Sequence, residues 1–225
     1  MTFSIAARCP ETGQFGIAIS SSSIAVGARC PWLLPGVGAV STQNITLPSL
    51  GPETLALMEQ GLAPAEALDK VLTRNGYSQY RQITAIDHLG RTSHFSGAQT
   101  LGQHNALSGE QCVAAGNMLA APGVIEAMVS AFEQAEGQLA DRLLAAMQGG
   151  MAAGGEAGPV HSAAVLVVGE LTWPIVNLRV DWADEDPIGQ LQKLWQAYRP
   201  QVQDYIDRAL TPDRSPGYGV AGDDR

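Results

Sequence analysis

Apolar residues near the start of the chain alternate with polar or small residues. The alternation covers residues 2–9, where Phe3, Ile5 and Ala7 are the apolar positions, and it returns over residues 14–21. A period of two is typical of strands that are buried on one face. The turn-forming sequence PETG lies between the two segments. Residues 2–9 and 14–21 are therefore predicted to form a β-hairpin.

The rest of the chain carries strand and helix patterns in an order that indicates an α+β fold. Further strands are predicted over 36–43, 82–87, 92–95, 111–115, 162–168 and 174–181. Helices are predicted over 53–60, 64–74, 124–134, 138–147 and 188–210. Gly61 and the pair Gly149-Gly150 are expected to end the helices that precede them. Consecutive strands before pairs of helices favour α+β over a strictly alternating parallel sheet.

Composition and charge narrow the possible functions. The 225 residues include 13 basic and 22 acidic side chains, which gives a formal net charge of −9. This balance lacks the basic surface of a nucleic-acid binder, and anionic membranes would repel it. Hydrophobic residues make up 45% and charged residues 16% of the chain, which excludes a disordered protein. We expect one domain over residues 1–210 and a flexible polar tail over 211–225.

The cysteines and the first residues bear on location. Cys9, Cys30 and Cys112 are an odd number without metal-ligand spacing, so no disulfide framework is indicated. The first residues show no signal-peptide pattern, and no run approaches the roughly 20 apolar residues of a membrane span. We therefore expect a cytoplasmic protein.

Thr2 is the most informative candidate for chemistry. It follows Met1, and a small second residue permits removal of an initiator methionine. The chain would then begin with a hydroxyl nucleophile that carries a free α-amine on the same residue. An α-amine titrates near pH 7.7–8.0, so it can serve as a general base. This arrangement is used for acyl transfer, although Thr or Ser is common at position two without any catalytic role.

The hairpin would bring other polar residues to Thr2. Its register places Thr2 opposite about residue 21, beside the serine run 20–23. The strand over 36–43 would bring the residues 41–44 towards the same end. Arg29 could bind a substrate carboxylate or tune the amine, and a structural salt bridge is an equal alternative.

The chain resembles the DUF1028 family, which is placed among the N-terminal nucleophile (Ntn) hydrolase-like proteins. The resemblance is carried by the segments TFSIAARCPETGQFGIAISSSSIAVGARCPW, GVGAVSTQN, IDHLGRTSHFSG, AAGNMLAAPGVIEAM, LADRLLAAMQGGMAAGG, HSAAVLVV and NLRVDW. It implies a four-layer αββα sandwich and, by analogy, hydrolysis of an amide bond. His161 stands where family members commonly have Gln, and the arginines that often precede that position are absent.

Three hypotheses about function follow. The first is a small-molecule amidohydrolase that needs no metal or cofactor, with Asn117 as a hydrogen-bond donor to the oxyanion. The second is a non-catalytic Ntn-like protein that binds a metabolite or forms an assembly. Two features speak for the second hypothesis. Proteasome-like Ntn enzymes place a lysine near the nucleophile, where neither Lys70 nor Lys193 is expected to lie, and the loop 156–161 departs from the family pattern. An internal nucleophile such as Ser21 is a third possibility.

Seven residues are predicted to form the functional site. The sequence predicts catalytic roles for Thr2 and Asn117 and substrate-binding roles for Ser21, Ser22, Arg29, Gln43 and His161. The histidines show no metal-ligand spacing, and the acidic run 184–186 is interpreted as a helix N-cap. Aromatic residues near the last helix could form an interface, so we expect a homo-oligomer that acts on a small-molecule substrate.

Overall fold

The computed structural model describes residues 1–223 and consists of helices and two antiparallel sheets. The strands are β1 Thr2–Arg8, β2 Phe15–Ser21, β3 Pro31–Leu34, β4 Gly38–Asn44, β5 Arg81–Asp87, β6 Thr92–Ser96, β7 Asn105–Gly109, β8 Cys112–Asn117, β9 Ser162–Val168 and β10 Val176–Val180. The helices are α1 Leu50–Glu59, α2 Pro64–Arg74, α3 Val124–Gln134, α4 Leu139–Ala152, α5 Pro187–Tyr198 and α6 Val202–Leu210. The predicted mixture of helices and sheets is confirmed.

The strands form one six-stranded and one four-stranded sheet. The six-stranded sheet has the order β10-β9-β2-β1-β8-β7, and the four-stranded sheet has the order β3-β4-β5-β6. In the hairpin of β1 and β2, Thr2 pairs with Ser21 and Arg8 with Phe15. The predicted hairpin and its register are therefore confirmed.

Alternation along the strands gives each sheet two buried faces. On β1, Phe3 and Ile5 pack in a core with Met128 of α3 and Leu143 of α4. On the four-stranded sheet, a second core joins β4 and β5 to helices α1 and α2. A third cluster lies between the sheets, where Ala6 of β1 shares a core with residues of β4 and β5. Such a fully buried pair of sheets needs helices on its outer faces.

Several helix boundaries differ from the sequence prediction. Helix α1 begins at Leu50, three residues before the predicted start at 53. Helix α4 continues through Gly149 and Gly150 to Ala152 instead of ending at the glycines. A Cβ atom on Gly149 would lie 2.6 Å from the Cβ of Ala131, so close packing between α3 and α4 explains the glycines there. The predicted helix over 188–210 is divided into α5 and α6 by a 3₁₀ turn that contains Pro200. Proline lacks the amide hydrogen that a continuous helix requires.

Two short strands, β3 and β7, were not predicted. Both lie at sheet edges, where a strand has one neighbour and needs no long alternating pattern.

The interpretation of the acidic run as an N-cap is confirmed, since the Asp186 carboxylate accepts the Gly189 N–H at 2.9 Å.

The chain beyond α6 makes specific contacts. Arg208 donates hydrogen bonds of 2.9 Å to the carbonyl oxygens of Pro216 and Gly217. The flexibility of the tail 211–225 stays a prediction, and its residues 224–225 lie outside the described residues. Within 1–223, none of the helices combines the length and apolar character needed to cross a bilayer.

Candidate active site

The layer between the two sheets is apolar at one end and polar at the other. The polar end is formed by buried side chains of both sheets, which we call the polar cluster: Thr2, Ser4, Ser21 and Asn117 from the six-stranded sheet, and Ser41, Gln43, Gln82 and Thr84 from the four-stranded sheet. Burial of hydroxyl and amide groups costs free energy unless hydrogen bonds compensate for it. A buried cluster of this size is therefore a candidate functional site.

Strand register brings these residues to one end. Thr2 pairs with Ser21 on one side and with Asn117 on the other. In the facing sheet, Gln43 pairs with Gln82. A hydrogen bond of 2.7 Å from the Ser4 hydroxyl to Gln43 Oε1 joins the two sheets. Three of the predicted site residues beside Thr2, namely Ser21, Gln43 and Asn117, are thus brought together.

Thr2 lies in the middle of this end of the six-stranded sheet and is 6% exposed. Its Oγ1 atom is 3.2 Å from Ser21 Oγ and donates a hydrogen bond of 2.5 Å to the Met1 carbonyl oxygen. The Ser21 hydroxyl also donates to that carbonyl oxygen. The Met1 carbonyl is therefore held by two hydroxyl groups, one of which belongs to the predicted nucleophile.

Gln82 organises the centre of the polar cluster. Its Nε2 donates to the Gly116 carbonyl oxygen at 3.0 Å, which fixes the orientation of the side-chain amide. Its Oε1 then accepts from Asn117 Nδ2 at 3.0 Å and from Gln43 Nε2 at 2.8 Å. The sequence reasoning did not identify Gln82, because nothing in the strand pattern over 82–87 distinguishes this amide from a solvated one.

This network determines which hydrogen-bonding groups of Asn117 remain free for a ligand. One amide hydrogen of Asn117 is used by Gln82, and its Oδ1 is buried without a hydrogen-bond partner among residues 1–223. The predicted role of Asn117 as an oxyanion donor stays a prediction. The second amide hydrogen and the unpartnered acceptor are the groups that remain for a ligand.

Glu156 is a second residue that the sequence reasoning did not select. It lies in the segment between α4 and β9, which is held against the end of β8 by a bridge between Leu119 and Glu156 and by the hydrogen bond from Ala157 N–H to the Met118 carbonyl. The carboxylate accepts the Ser22 N–H at 3.2 Å through Oε2. Its Oε1 is buried and has no partner within the described residues.

The electrostatics of Glu156 are set by burial and by the chain start. Burial raises the pKa of Glu156 to about 7, while the N-terminal amine and the Ser22 hydrogen bonds oppose that rise. A carboxyl group with a pKa near neutrality is typical of functional sites. In the sequence, Glu156 is only a single acidic residue in a stretch of glycine and alanine. Its burial becomes visible only from the contact of this stretch with the end of β8.

Three predicted substrate-binding residues have other contacts. The Arg29 Nη1 atom donates to the carbonyl oxygens of Ile24 at 2.5 Å and Ala25 at 3.0 Å, so this guanidinium braces its own loop. The His161 ring is 2.8 Å from the Ala183 carbonyl oxygen and stacks on Trp182, although its backbone N–H donates to Ser21. The Ser22 backbone contacts Glu156. Their roles in binding substrate stay predictions.

The described residues do not suggest a metal centre. Residues 1–223 contain no group of three or more His, Cys, Asp or Glu side chains placed to share a metal ion. The polar cluster supplies hydroxyl groups and amides, and the nearby Glu156 supplies one carboxyl group.

Comparison with known proteins identifies the family. The model of a family of unknown function, DUF1028, matches residues 2–191. The chain belongs to the DUF1028 family. A crystal structure of protein SPO2555 from Silicibacter pomeroyi, which carries the same family assignment, is 32% identical, with a TM-score of 0.85 over 91% of this chain and 89% of that one. The resemblance drawn from the sequence segments is confirmed.

More distant structures are also similar in part. Anbu (ancestral beta-subunit) from Yersinia bercovieri is 10% identical with a TM-score of 0.41, over 90% of this chain and 97% of that chain. Anbu from Hyphomicrobium sp. strain MC1 is 10% identical with a TM-score of 0.41, over 89% and 96%. Similarity at this level carries no argument about the DUF1028 chain. No curated protein matches it.

Proposed function

We propose that this DUF1028 protein hydrolyses an amide bond of a small molecule, with Thr2 as the N-terminal nucleophile. The observation that supports the proposal is the placement of the Thr2 hydroxyl, which contacts Ser21 and a carbonyl oxygen at the buried end of the polar cluster. Acyl transfer brings together a nucleophilic hydroxyl, the carbonyl that it attacks and a donor to the carbonyl oxygen. The proposal requires Thr2 to be the first residue of the mature chain.

In this mechanism the α-amine of Thr2 takes the proton of the Thr2 hydroxyl as the oxygen attacks the substrate carbonyl carbon. The amine transfers that proton to the leaving nitrogen, and water then hydrolyses the acyl ester. The Ser21 hydroxyl is the best-placed donor to the oxyanion, because it already donates to the Met1 carbonyl oxygen. The free amide hydrogen of Asn117 is a second candidate donor.

Further parts of the proposal concern the whole molecule. We propose that the two sheets and their covering helices form the four-layer αββα sandwich of Ntn hydrolases, in one domain over residues 1–210 with a tail over 211–225. We also propose a cytoplasmic homo-oligomer without a metal or cofactor. The contacts of α1 and α2 with one sheet and of α3 and α4 with the other support the layer order.

A variant series at position 2 tests the chemistry. The chain that begins at Thr2 is released from a cleavable N-terminal fusion and tested against a panel of small amides. Thr2→Ala should abolish turnover, and Thr2→Ser should retain part of it, because serine keeps a hydroxyl beside the α-amine. Thr73→Ala, an exposed position on α2, is the matched control. Unchanged turnover in Thr2→Ala contradicts the proposal.

A second candidate is a non-catalytic metabolite-binding or assembly protein. It is favoured by the placement of the two lysines, since Lys70 on α2 and Lys193 on α5 are both exposed and the polar cluster contains neither. Under this alternative, Thr2→Ala binds the same amides as the parent chain, and the parent chain does not turn them over.

A further inference from the structure

Met1 occupies the position next to the predicted nucleophile, and its contacts resemble those of a bound ligand. Its carbonyl oxygen accepts hydrogen bonds from the hydroxyls of Thr2 and Ser21. The tip of its side chain lies against Gly158, where an added Cβ atom would be 2.9 Å from Met1 Cε. Its α-amine acts on the buried carboxyl group of Glu156. The carbonyl oxygen and the side chain of Met1 therefore have direct protein contacts, whereas its α-amine acts on Glu156 electrostatically without forming an ion pair among the described residues.

The position of Met1 approximates that of an acyl group transferred to Thr2. The Met1 acyl group is bonded to the nitrogen of Thr2, and an acyl-enzyme intermediate would be bonded to Oγ1 of the same residue. These two atoms are separated by only the Cα and Cβ atoms, so an acyl group on either one occupies nearly the same space. After Met1 is removed, the contacts that it leaves are available to the acyl half of a substrate.

The contacts at this position favour a ligand that donates hydrogen bonds. Glu156 Oε1 belongs to a side chain that is 5% exposed, and it has no partner within residues 1–223. Asn117 Oδ1, in a side chain that is 0% exposed, is likewise unpartnered in the described chain. Arg29, the guanidinium predicted to bind an anionic substrate group, is bound to its own loop carbonyls. An ammonium group fits these acceptors better than a carboxylate does.

We propose that the substrates are amides of α-amino acids with a free α-ammonium group, and that Glu156 binds that group. This inference rests on the proposed function, because it identifies the acyl half of the same reaction. Ser21 holds the substrate carbonyl, and Gly158 leaves room for an unbranched side chain. The aminoacyl ester forms on Thr2 Oγ1 as the amide C–N bond breaks, and the amine leaves with the proton that the Thr2 α-amine took from the hydroxyl. Water then releases the amino acid and restores the hydroxyl, so each amide and one water give one amino acid and one amine.

Binding can be measured without turnover. The chain that begins at position 2 and carries Thr2→Ala is titrated calorimetrically with L-methioninamide and with N-acetyl-L-methioninamide. We expect the free-amine ligand to bind at least about tenfold more tightly, the factor typical of a charge-assisted hydrogen bond. Adding Glu156→Gln should remove this preference, whereas Glu170→Gln, at an exposed position, should keep it. A preference that survives Glu156→Gln, or equal binding of both ligands to the parent chain, overturns the inference.

Gly158→Ala tests the side-chain position. The added Cβ would meet the methionine side chain, so methioninamide should bind about tenfold more weakly while L-alaninamide keeps its affinity. Gly76→Ala is the control, because an added Cβ there meets nothing within 4 Å. Equal losses for both ligands would contradict this placement.

Turnover separates the two proposals. Thr2-dependent hydrolysis of methioninamide and its N-acetyl form at equal rates overturns the substrate inference and leaves the proposed function intact. Binding that depends on Glu156, without turnover of either amide by the parent chain that begins at Thr2, overturns the hydrolysis and supports the ammonium site.

Discussion

Glu156 is deeply buried and has a pKa close to neutrality. Its ionisation should therefore lower the free energy of unfolding by a measurable amount. Its pKa rises from the ordinary 4.5 to about 7, because burial opposes the charged form. Between those two pH values the unfolded chain has lost a proton that the folded chain keeps. The contribution of Glu156 is therefore most favourable at low pH, and stability falls as the pH rises through this window. At roughly 1.4 kcal/mol for each pH unit, the ionised carboxylate costs the fold about 3 kcal/mol at pH 8.

Glu156→Gln removes the ionisation but keeps an oxygen acceptor for the Ser22 N–H. Urea unfolding of the full chain should show the variant more stable than the parent by about 3 kcal/mol at pH 8 and by less than about 1 kcal/mol at pH 5. Any pH-independent effect of the amide cancels in the comparison of the two pH values, and Glu170→Gln should show no such change. An equal difference at both pH values would show that ionisation of Glu156 does not destabilise the fold, as would a variant less stable than the parent at pH 8.

Two more predictions concern the interior. Gln82→Leu leaves buried groups of Asn117, Gln43 and Gly116 without their hydrogen-bond partner. Urea unfolding should therefore show a free energy of unfolding lower by about 3 kcal/mol or more, and little change in the exposed control Gln99→Leu. A decrease below about 1 kcal/mol contradicts the importance of this network. Burial raises the pKa of Cys30 and raises that of Cys112 to about 12. Burial acts in the same direction at Cys9, but hydrogen bonds from Thr12 and Glu11 together outweigh it and lower the pKa. A thiol reagent at pH 8 should therefore react first with Cys9, and Cys9→Ser should abolish this fast phase. Equal reaction rates at all three cysteines would contradict this order.

The sequence allowed prediction where a local pattern determines local structure. The PETG turn and the flanking alternation predicted the register that pairs Thr2 with Ser21. Helices α2 and α3 were predicted with their observed bounds, because each has a regular apolar stripe. The family resemblance was also correct. These features depend on residues close together in the chain or on whole-sequence similarity.

The remainder depended on contacts between distant segments. Glycines at 149 and 150 suggested a helix end, but they permit the close packing of α4 on α3. Glu156 and Gln82 have no local signature, because their burial is created by the end of β8 and by the facing sheet. Arg29 was assigned to a ligand from its charge and position, and only the structure shows that it donates to loop carbonyls. Local patterns therefore predicted the strands on which the site residues lie. They did not predict which groups the side chains of those residues contact.

The central claim is that Thr2 is the first residue of the functional protein. Intact-mass measurement of the native protein, combined with N-terminal sequencing, tests this claim most directly. We expect a chain that is lighter by one methionine residue and begins Thr-Phe-Ser. A native chain that retains Met1 would keep the Thr2 nitrogen in a peptide bond, so the proposed general base would be absent and Thr2 could not act as an N-terminal nucleophile.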